Sequence, residues 1–372
     1  MFQARSYQTA AVDFLTKPIR PRALIVAPAG SGKTVIAATA LSRICVPNTK
    51  VAWLANTREQ VDQAVAALSR TQGAEDVDLI VACVASQPDL SDRDVVVVDE
   101  CHHTPAASWA RLASQCRGVL WGFTATPDSG DAERDTQLDK IFGGRANRHT
   151  VPRSEVEEAG CVLTGIVTMH DIDAQGCLDP EIDALTAVEL KKAMAKFRYV
   201  PRHELEKRIR WRNTLNALLE SEARNSKALY VIASDLANGH SVLVLVNSIE
   251  HGEKLSELVE GSVMLSSKLS KKKRAEHIAA FRSGEIRVAF ATQLADEGLD
   301  VPKASSLVLL AGGRSASKLE QRAGRVMRPD GSKEFGVVHD FLDRGAVFAF
   351  AQARARVETY RKLGYQVTYK TP

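Results

Sequence analysis

The chain has 372 residues, 45% of them hydrophobic and 25% charged, with 49 Lys and Arg against 45 Asp and Glu. At roughly 100–200 residues per domain this allows two or three domains of ordinary globular composition and excludes wholesale disorder. The net charge of +4 neither requires nor excludes a polyanionic partner, so any nucleic-acid reading rests on local placement.

Apolar runs such as 242–246 stop short of the roughly 18 residues that a membrane-spanning helix needs, so no segment is expected to cross a bilayer. Residues 1–6 lack the basic, apolar and small-residue regions of a secretory signal, which predicts a cytoplasmic protein, in the nucleoid or in a host cytoplasm if phage-encoded. Six cysteines, at 45, 83, 101, 116, 161 and 177, form no Cys-x-x-Cys pair and read as reduced thiols.

In chain order, short runs rich in Val, Ile and Leu at 22–27, 51–54, 78–84, 94–99 and 118–124 predict buried strands, alternating with helical spacing over 34–44, 58–69 and 106–116. This is the pattern of a doubly wound α/β domain with a parallel sheet. A strand pair is predicted near 162–171, then long polar helices from about 181 onward. The alternation returns with strands at 241–247, 262–266, 286–291, 305–310 and 335–341 and helices near 250–259, 271–283 and 317–326, predicting a second α/β domain.

The sharpest local signal is Ala27-Pro28-Ala29-Gly30-Ser31-Gly32-Lys33-Thr34, between a predicted strand and a predicted helix. Gly30, Ser31 and Gly32 let backbone amides converge on phosphate oxygens, and the helix start adds its positive dipole. Lys33 reaches the terminal phosphates, and Thr34 supplies a hydroxyl to Mg2+. Ala27 replaces the first glycine of the strict pattern, at a turn position that holds no phosphate. Further on, Val95 to Val98 delivers Asp99-Glu100-Cys101-His102 at its carboxyl end. Asp99 there suits a magnesium ligand and Glu100 a base for the attacking water; an ordinary acidic strand end is the alternative for this pair on its own. His102 and His103 lack third and fourth ligands at zinc spacing, so His102 reads as a coupling residue.

Together with Thr124-Ala125-Thr126-Pro127, Ala291 to Asp300 and Gln321 to Arg328, these segments resemble the superfamily 2 DExH helicases, in the branch related to type III restriction helicase subunits, phage fork-remodelling helicases and DNA-repair helicases. The resemblance spans about residues 5–343 and implies two tandem RecA-like domains. The expected division is an ATP-binding domain at 1–150, a linker with basic helices at 151–236 and a helicase C-terminal domain at 237–372. The family motifs imply that Gln8 reads adenine, that Gly298 and Asp300 line the nucleotide, and that Thr124 and Thr126 link hydrolysis to strand movement. Gln321 is implied to orient the attacking water or the γ-phosphate. Arg325 and Arg328 match the arginines that reach the γ-phosphate from the second domain, where an arginine finger contributes roughly 10³ to 10⁵ in rate.

By the same resemblance Thr57 and Arg58 would hold a nucleic-acid backbone on the first domain, and Thr292 and Asn247 on the second. Residues 191–212 carry nine Lys or Arg against two acids, Lys207, Arg208, Arg210 and Arg212 among them, with Phe197, Tyr199 and Trp211 interleaved. Such a segment suits a single strand, and equally a linker helix with solvated charges. The expected activity is an ATP- and Mg2+-dependent helicase or translocase that unwinds or remodels DNA, branched DNA above all. It would act as a monomer, with protein partners open. An RNA helicase and a non-unwinding ATP-gated nucleic-acid clamp acting with partner subunits are the alternatives.

Overall fold

The computed structural model describes residues 4–56, 58–69, 77–128, 131–172, 178–196, 199–292, 304–313, 315–331 and 333–370. It forms two compact units, 1–162 and 163–372, each described by itself.

The first unit runs α1 (Ser6–Thr16), β1 (Arg22–Val26), α2 (Lys33–Ile44), β2 (Lys50–Ala55), α3 (Arg58–Leu68), β3 (Asp78–Cys83), β4 (Val95–Val98), α4 (Ala107–Gln115), β5 (Val119–Thr124), α5 (Ala132–Ile141), β6 (Arg148–Thr150) and α6 (Arg153–Glu158). Its strands form one parallel sheet in the order β3-β2-β4-β5-β1-β6. A sheet covered on both faces needs apolar residues at successive positions. β4 shows this directly: Val95 and Val97 join the core on one face with Ile25, Trp53 and Phe123, whereas Val96 and Val98 join Leu24, Leu54 and Leu120 on the other. The five strands expected in this region all form, and β5 lies between β4 and β1. Because the strands are parallel, the segments after β1, β4 and β5 emerge at one edge of the sheet, where ligands bind in open α/β sheets.

The second unit runs β7 (Thr164–Ile172), α7 (Asp179–Lys196), α8 (Arg202–Glu220), α9 (Glu222–Ala237), β8 (Val242–Leu245), α10 (Ile249–Glu257), β9 (Val263–Leu265), α11 (Lys271–Ser283), β10 (Val288–Ala291), β11 (Ser306–Leu309), α12 (Ala316–Val326), β12 (Phe335–Asp343), α13 (Val347–Lys362) and β13 (Gln366–Lys370). Its parallel sheet has the order β13-β7-β12-β11-β8-β10-β9. In β8, Leu243 and Leu245 join one core while Val242 and Val244 join the other.

The segment expected as a separate linker at 151–236 divides differently. Residues up to Val162 belong to the first unit, and the rest builds the second. In place of a strand pair near 162–171 there is one strand, β7, paired with β12 and β13. Val167 and Met169 are fully buried in the main core of the second unit, so β7 is an internal strand of the sheet and not one of a local pair. Likewise Ala228, Val231 and Ile232 of α9 cover the other face of the sheet. Among the described residues no helix is long and apolar enough to cross a membrane.

Candidate functional site

The loop after β1 takes its shape from two glycines in the left-handed region, Gly30 at φ +85° and Gly32 at φ +80°. A side chain at either place would be strained and would also clash, since a Cβ on Gly30 would lie 2.8 Å from Val162 Cγ1 and one on Gly32 2.7 Å from Gln8 Nε2. α2 then starts at Lys33 with no side-chain cap, which leaves its first amides to a ligand. The loop is braced from behind by α1. Tyr7 Oη donates to Ser31 O at 2.8 Å and Gln8 Nε2 to the same oxygen at 3.1 Å, while Gln8 Oε1 accepts from Arg5 N at 3.0 Å. Ser31 Oγ is buried and has no hydrogen-bond partner among the described residues. Lys33 Nζ donates to Ala27 O at 3.3 Å. Left-handed glycines, capless helix start, lysine and orphaned hydroxyl together fit a phosphate group.

At the end of β4, Asp99 and Glu100 follow the last buried valine. Glu100 sits at φ +46°, and its amide donates to Asp99 Oδ1 at 2.9 Å. The two carboxyls are held apart in their titration. Burial, and then Glu100, pushes Asp99 up to about 6. For Glu100 burial acts in the same upward sense, but Lys33 and the hydrogen bond from His102 outweigh it and hold the carboxyl low. A hydroxyl from Thr34 and a carboxylate from Asp99 are the hard oxygen donors that Mg2+ takes.

His102 connects this pair to the end of β5. Its Nδ1 lies 3.4 Å from Glu100 Oε2 and 3.1 Å from Thr124 Oγ1, and Thr124 Oγ1 accepts from Thr126 N at 3.2 Å. Thr124 is fully buried and Thr126 8% exposed. The first unit thus contains an unbroken polar chain from Glu100 through His102 and Thr124 to Thr126, and the backbone ties it to the phosphate loop, since Ala27 N donates to Thr124 O at 2.9 Å. His103, by contrast, stacks toward Trp109, and burial followed by His102 lowers it to about 4.

In the second unit Gln321 and Arg325 lie on α12, with Arg325 only 7% exposed, and Arg328 is exposed just beyond the helix. Asn247 and Thr292 follow β8 and β10 at the carboxyl edge of the sheet. Arg58 is the first residue of α3. Thr57, Gly298 and Asp300 lie outside the described residues. Three of the nine basic residues of this segment pair with acids of α7 and α8: Arg210 lies 2.9 Å from Asp183 and 3.6 Å from Asp179, Arg212 pairs with Glu189 at 2.5 Å, and Arg208 with Glu204 at 3.4 Å. Lys207 is exposed. Trp211 packs against Phe348, their rings 5.4 Å apart.

Two features escaped the sequence reading. Tyr7 braces the phosphate loop as directly as Gln8, and its place one residue before Gln8 in an amphipathic helix was the available signal. The other is a pair of acids, Asp340 and Asp343, in the buried strand β12, visible in the sequence only as charges in an otherwise apolar run.

Two parallel α/β units, the first carrying a glycine-rich phosphate loop and an acidic strand end at one sheet edge, define the class: a tandem RecA-like P-loop core. Comparison with known proteins narrows it. Residues 1–87 and 80–129 match the family described as type III restriction enzyme, res subunit, and residues 224–330 match the helicase conserved C-terminal domain. A protein of Sulfolobus islandicus filamentous virus, provisionally named helicase 22, is 25% identical over 388 residues, covering 92% of this chain and 64% of the viral protein. The DNA 3'-5' translocase XPB2 of Sulfurisphaera tokodaii is 25% identical, covering 88% of this chain and 79% of that one. The solved Hef helicase domain of Pyrococcus furiosus superposes with a TM-score of 0.58 at 18% identity, covering 96% of this chain and 98% of the domain. The family matches and these relatives support a superfamily 2 helicase of the kind related to type III restriction enzymes. It spans from about half to two thirds of the length of most curated relatives it matches.

Proposed function

We propose that the chain is an ATP-dependent DNA translocase that unwinds or remodels DNA, branched DNA included. The observation that carries this reading is the polar chain from Glu100 to Thr126 beside the phosphate loop, because it offers a physical route from a nucleotide to a second segment of the same unit. DNA is favoured by the name of the archaeal relative, a DNA 3'-5' translocase.

In this reading Gly30, Ser31, Gly32 and Lys33 hold the phosphates of ATP, with Gln8 on the adenine side. Thr34 and Asp99 hold Mg2+, which when bound neutralises charge on the phosphate oxygens. Glu100 orients the attacking water and takes its proton at a carboxylate oxygen. His102, Thr124 and Thr126 pass the change at Glu100 toward the bound strand. From the second unit, Gln321, Arg325 and Arg328 serve the γ-phosphate, and Gly298 and Asp300 line the nucleotide. Thr57, Arg58, Asn247, Thr292, Lys207, Arg208 and Arg210 are the candidate strand contacts. The protein would work in the cytoplasm as a monomer.

The test is steady-state hydrolysis measured with single-stranded, duplex, forked and four-way DNA and with matched RNA, together with strand displacement. DNA-stimulated turnover that Lys33→Ala abolishes is expected. Turnover by Lys33→Ala at the wild-type rate would remove the phosphate-loop assignment. Stimulation by RNA alone would overturn the DNA reading, and stimulation without displacement or directional movement would leave a clamp.

A further inference from the structure

α12 carries Gln321 and Arg325, and the loop that launches it, Leu310 to Gly313, is held in an unusual way. On one side the amides of Leu310 and Ala311 donate to Leu245 O at 2.9 and 2.8 Å. On the other, two buried arginines take its carbonyls. Arg224 of α9 donates through Nη2 to Leu310 O at 3.2 Å and through Nε to Asp343 Oδ1 at 2.9 Å. Arg356 of α13 donates through Nη1 to Gly313 O at 3.0 Å, while its Nε and Nη2 grip Asp340 Oδ2 and Oδ1 at 2.8 and 2.7 Å. Gly312, between the two anchored carbonyls, is backed by α8, since a Cβ there would lie 3.0 Å from Trp211 Cη2 and 3.4 Å from Leu215 Cδ2.

The two clamps are related but unequal: Arg356 holds Asp340 with a two-pronged fork, whereas Arg224 holds Asp343 through Nε alone. Each arginine is at most 5% exposed, each pairs with a carboxylate of β12 that is itself buried, and each has a donor left for the same loop. Asp340 also accepts from Tyr360 Oη at 3.1 Å and from Phe341 N at 2.7 Å, so it is fully satisfied and cannot swing away. Burying an ion pair gives little net stability compared with an apolar core of the same shape. What a guanidinium adds is direction: a planar fork locked on a carboxylate aims its remaining N–H at a fixed point. For Arg356 the fixed point is Gly313 O, and Arg224, held by one bond to Asp343, reaches Leu310 O in the same loop.

We propose that Arg356 and Arg224 are positioning residues that aim α12, and with it Gln321 and Arg325, by fixing Gly313 and Leu310. The inference rests on the ATPase reading above. From Ser315 to Arg325 the helix is a lever of about 15 Å. A tilt of about 4° at its start therefore displaces Arg325 by about 1 Å, which costs on the order of 100-fold in a rate that depends on placement. Binding of the nucleotide by the first unit does not depend on that lever.

The test uses the full chain and four proteins: wild type, Arg356→Lys, Arg224→Lys and Gly312→Ala. A lysine keeps the charge beside Asp340 or Asp343 but cannot serve the carboxylate and the loop together. Gly312→Ala shifts the loop from the opposite side and leaves both ion pairs intact, so it carries the test if the arginine variants do not fold. Strand-stimulated kcat and the dissociation constant of a fluorescent ATP analogue are measured for each. The expected result is a kcat lower by roughly 10- to 100-fold with nucleotide affinity unchanged. Folded variants with wild-type kcat, or with affinity and kcat falling together, would overturn the proposal. A wild-type chain with no hydrolysis at all would sink the ATPase reading itself and this inference with it, a result that no variant is needed to recognise.

Discussion

Thr124→Val removes one hydroxyl from a fully buried position and keeps the shape of the side chain, so its effect can be worked out from two hydrogen bonds. Thr126 N loses its 3.2 Å acceptor, and His102 Nδ1 loses a partner at 3.1 Å, keeping Glu100 Oε2 at 3.4 Å. An orphaned buried amide costs about 1–3 kcal/mol and a lost hydrogen bond about 1 kcal/mol, giving a central expectation of about 3 kcal/mol. For a unit of this size that lowers the melting midpoint by about 6–12 °C. Tryptophan fluorescence is a suitable probe, because Trp53, Trp109 and Trp121 lie in the first unit and Trp211 alone in the second. The same variant should keep unstimulated ATP turnover while losing stimulation by DNA, since the break falls between Glu100 and Thr126. Thr124→Ser, which restores the hydroxyl, should recover most of the stimulation. If Thr124→Val melts with the wild type and is stimulated as fully, the hydrogen-bonded chain has neither the structural nor the coupling role assigned to it.

Arg325→Ala is expected to bind ATP normally and to lose roughly 10³- to 10⁵-fold in turnover; rapid-quench hydrolysis with wild-type kinetics would remove its role at the γ-phosphate. A pH dependence follows from His170, which hydrogen-bonds His339 Nδ1 through Nε2 at 2.8 Å. Burial, and then His339, lowers it from 6.5 to about 3, with Lys227 and Lys370 acting in the same sense and Asp235 opposing. The folded state therefore binds fewer protons than the unfolded one. The stability this contributes is complete above 6.5 and is lost as the pH falls from there toward 3. His170→Gln keeps a hydrogen-bonding group and removes the titration, so urea midpoints between about pH 7 and about pH 4 should fall less steeply than in the wild type; equal slopes would place the acid sensitivity elsewhere.

The phosphate loop, the acidic end of β4 and nearly every core strand were legible in the sequence because each is a local pattern. Four valines in a row can only be a strand covered on both faces, and two glycines before Lys33 read as a loop that brings its amides together. The helix α12 and its arginines were legible for the same reason. What stayed hidden was every choice of partner across the fold. β7 looked like one of a local pair because its own residues cannot say which strands flank it; pairing with β12 is a contact between residues about 170 positions apart. Nothing local to Arg210 and Arg212 indicates that α7 places Asp179, Asp183 and Glu189 against them. Asp340 gives no local sign of the place it takes beneath Arg356 and Tyr360. The sequence by itself determined which residues form elements and where the glycine-rich loop and the acidic strand end fall, because glycine conformation and the spacing of apolar side chains act within a few residues. Only the tertiary structure decided which charges are spent on one another, because an ion pair depends on a distance that the chain sets only when its distant parts fold together.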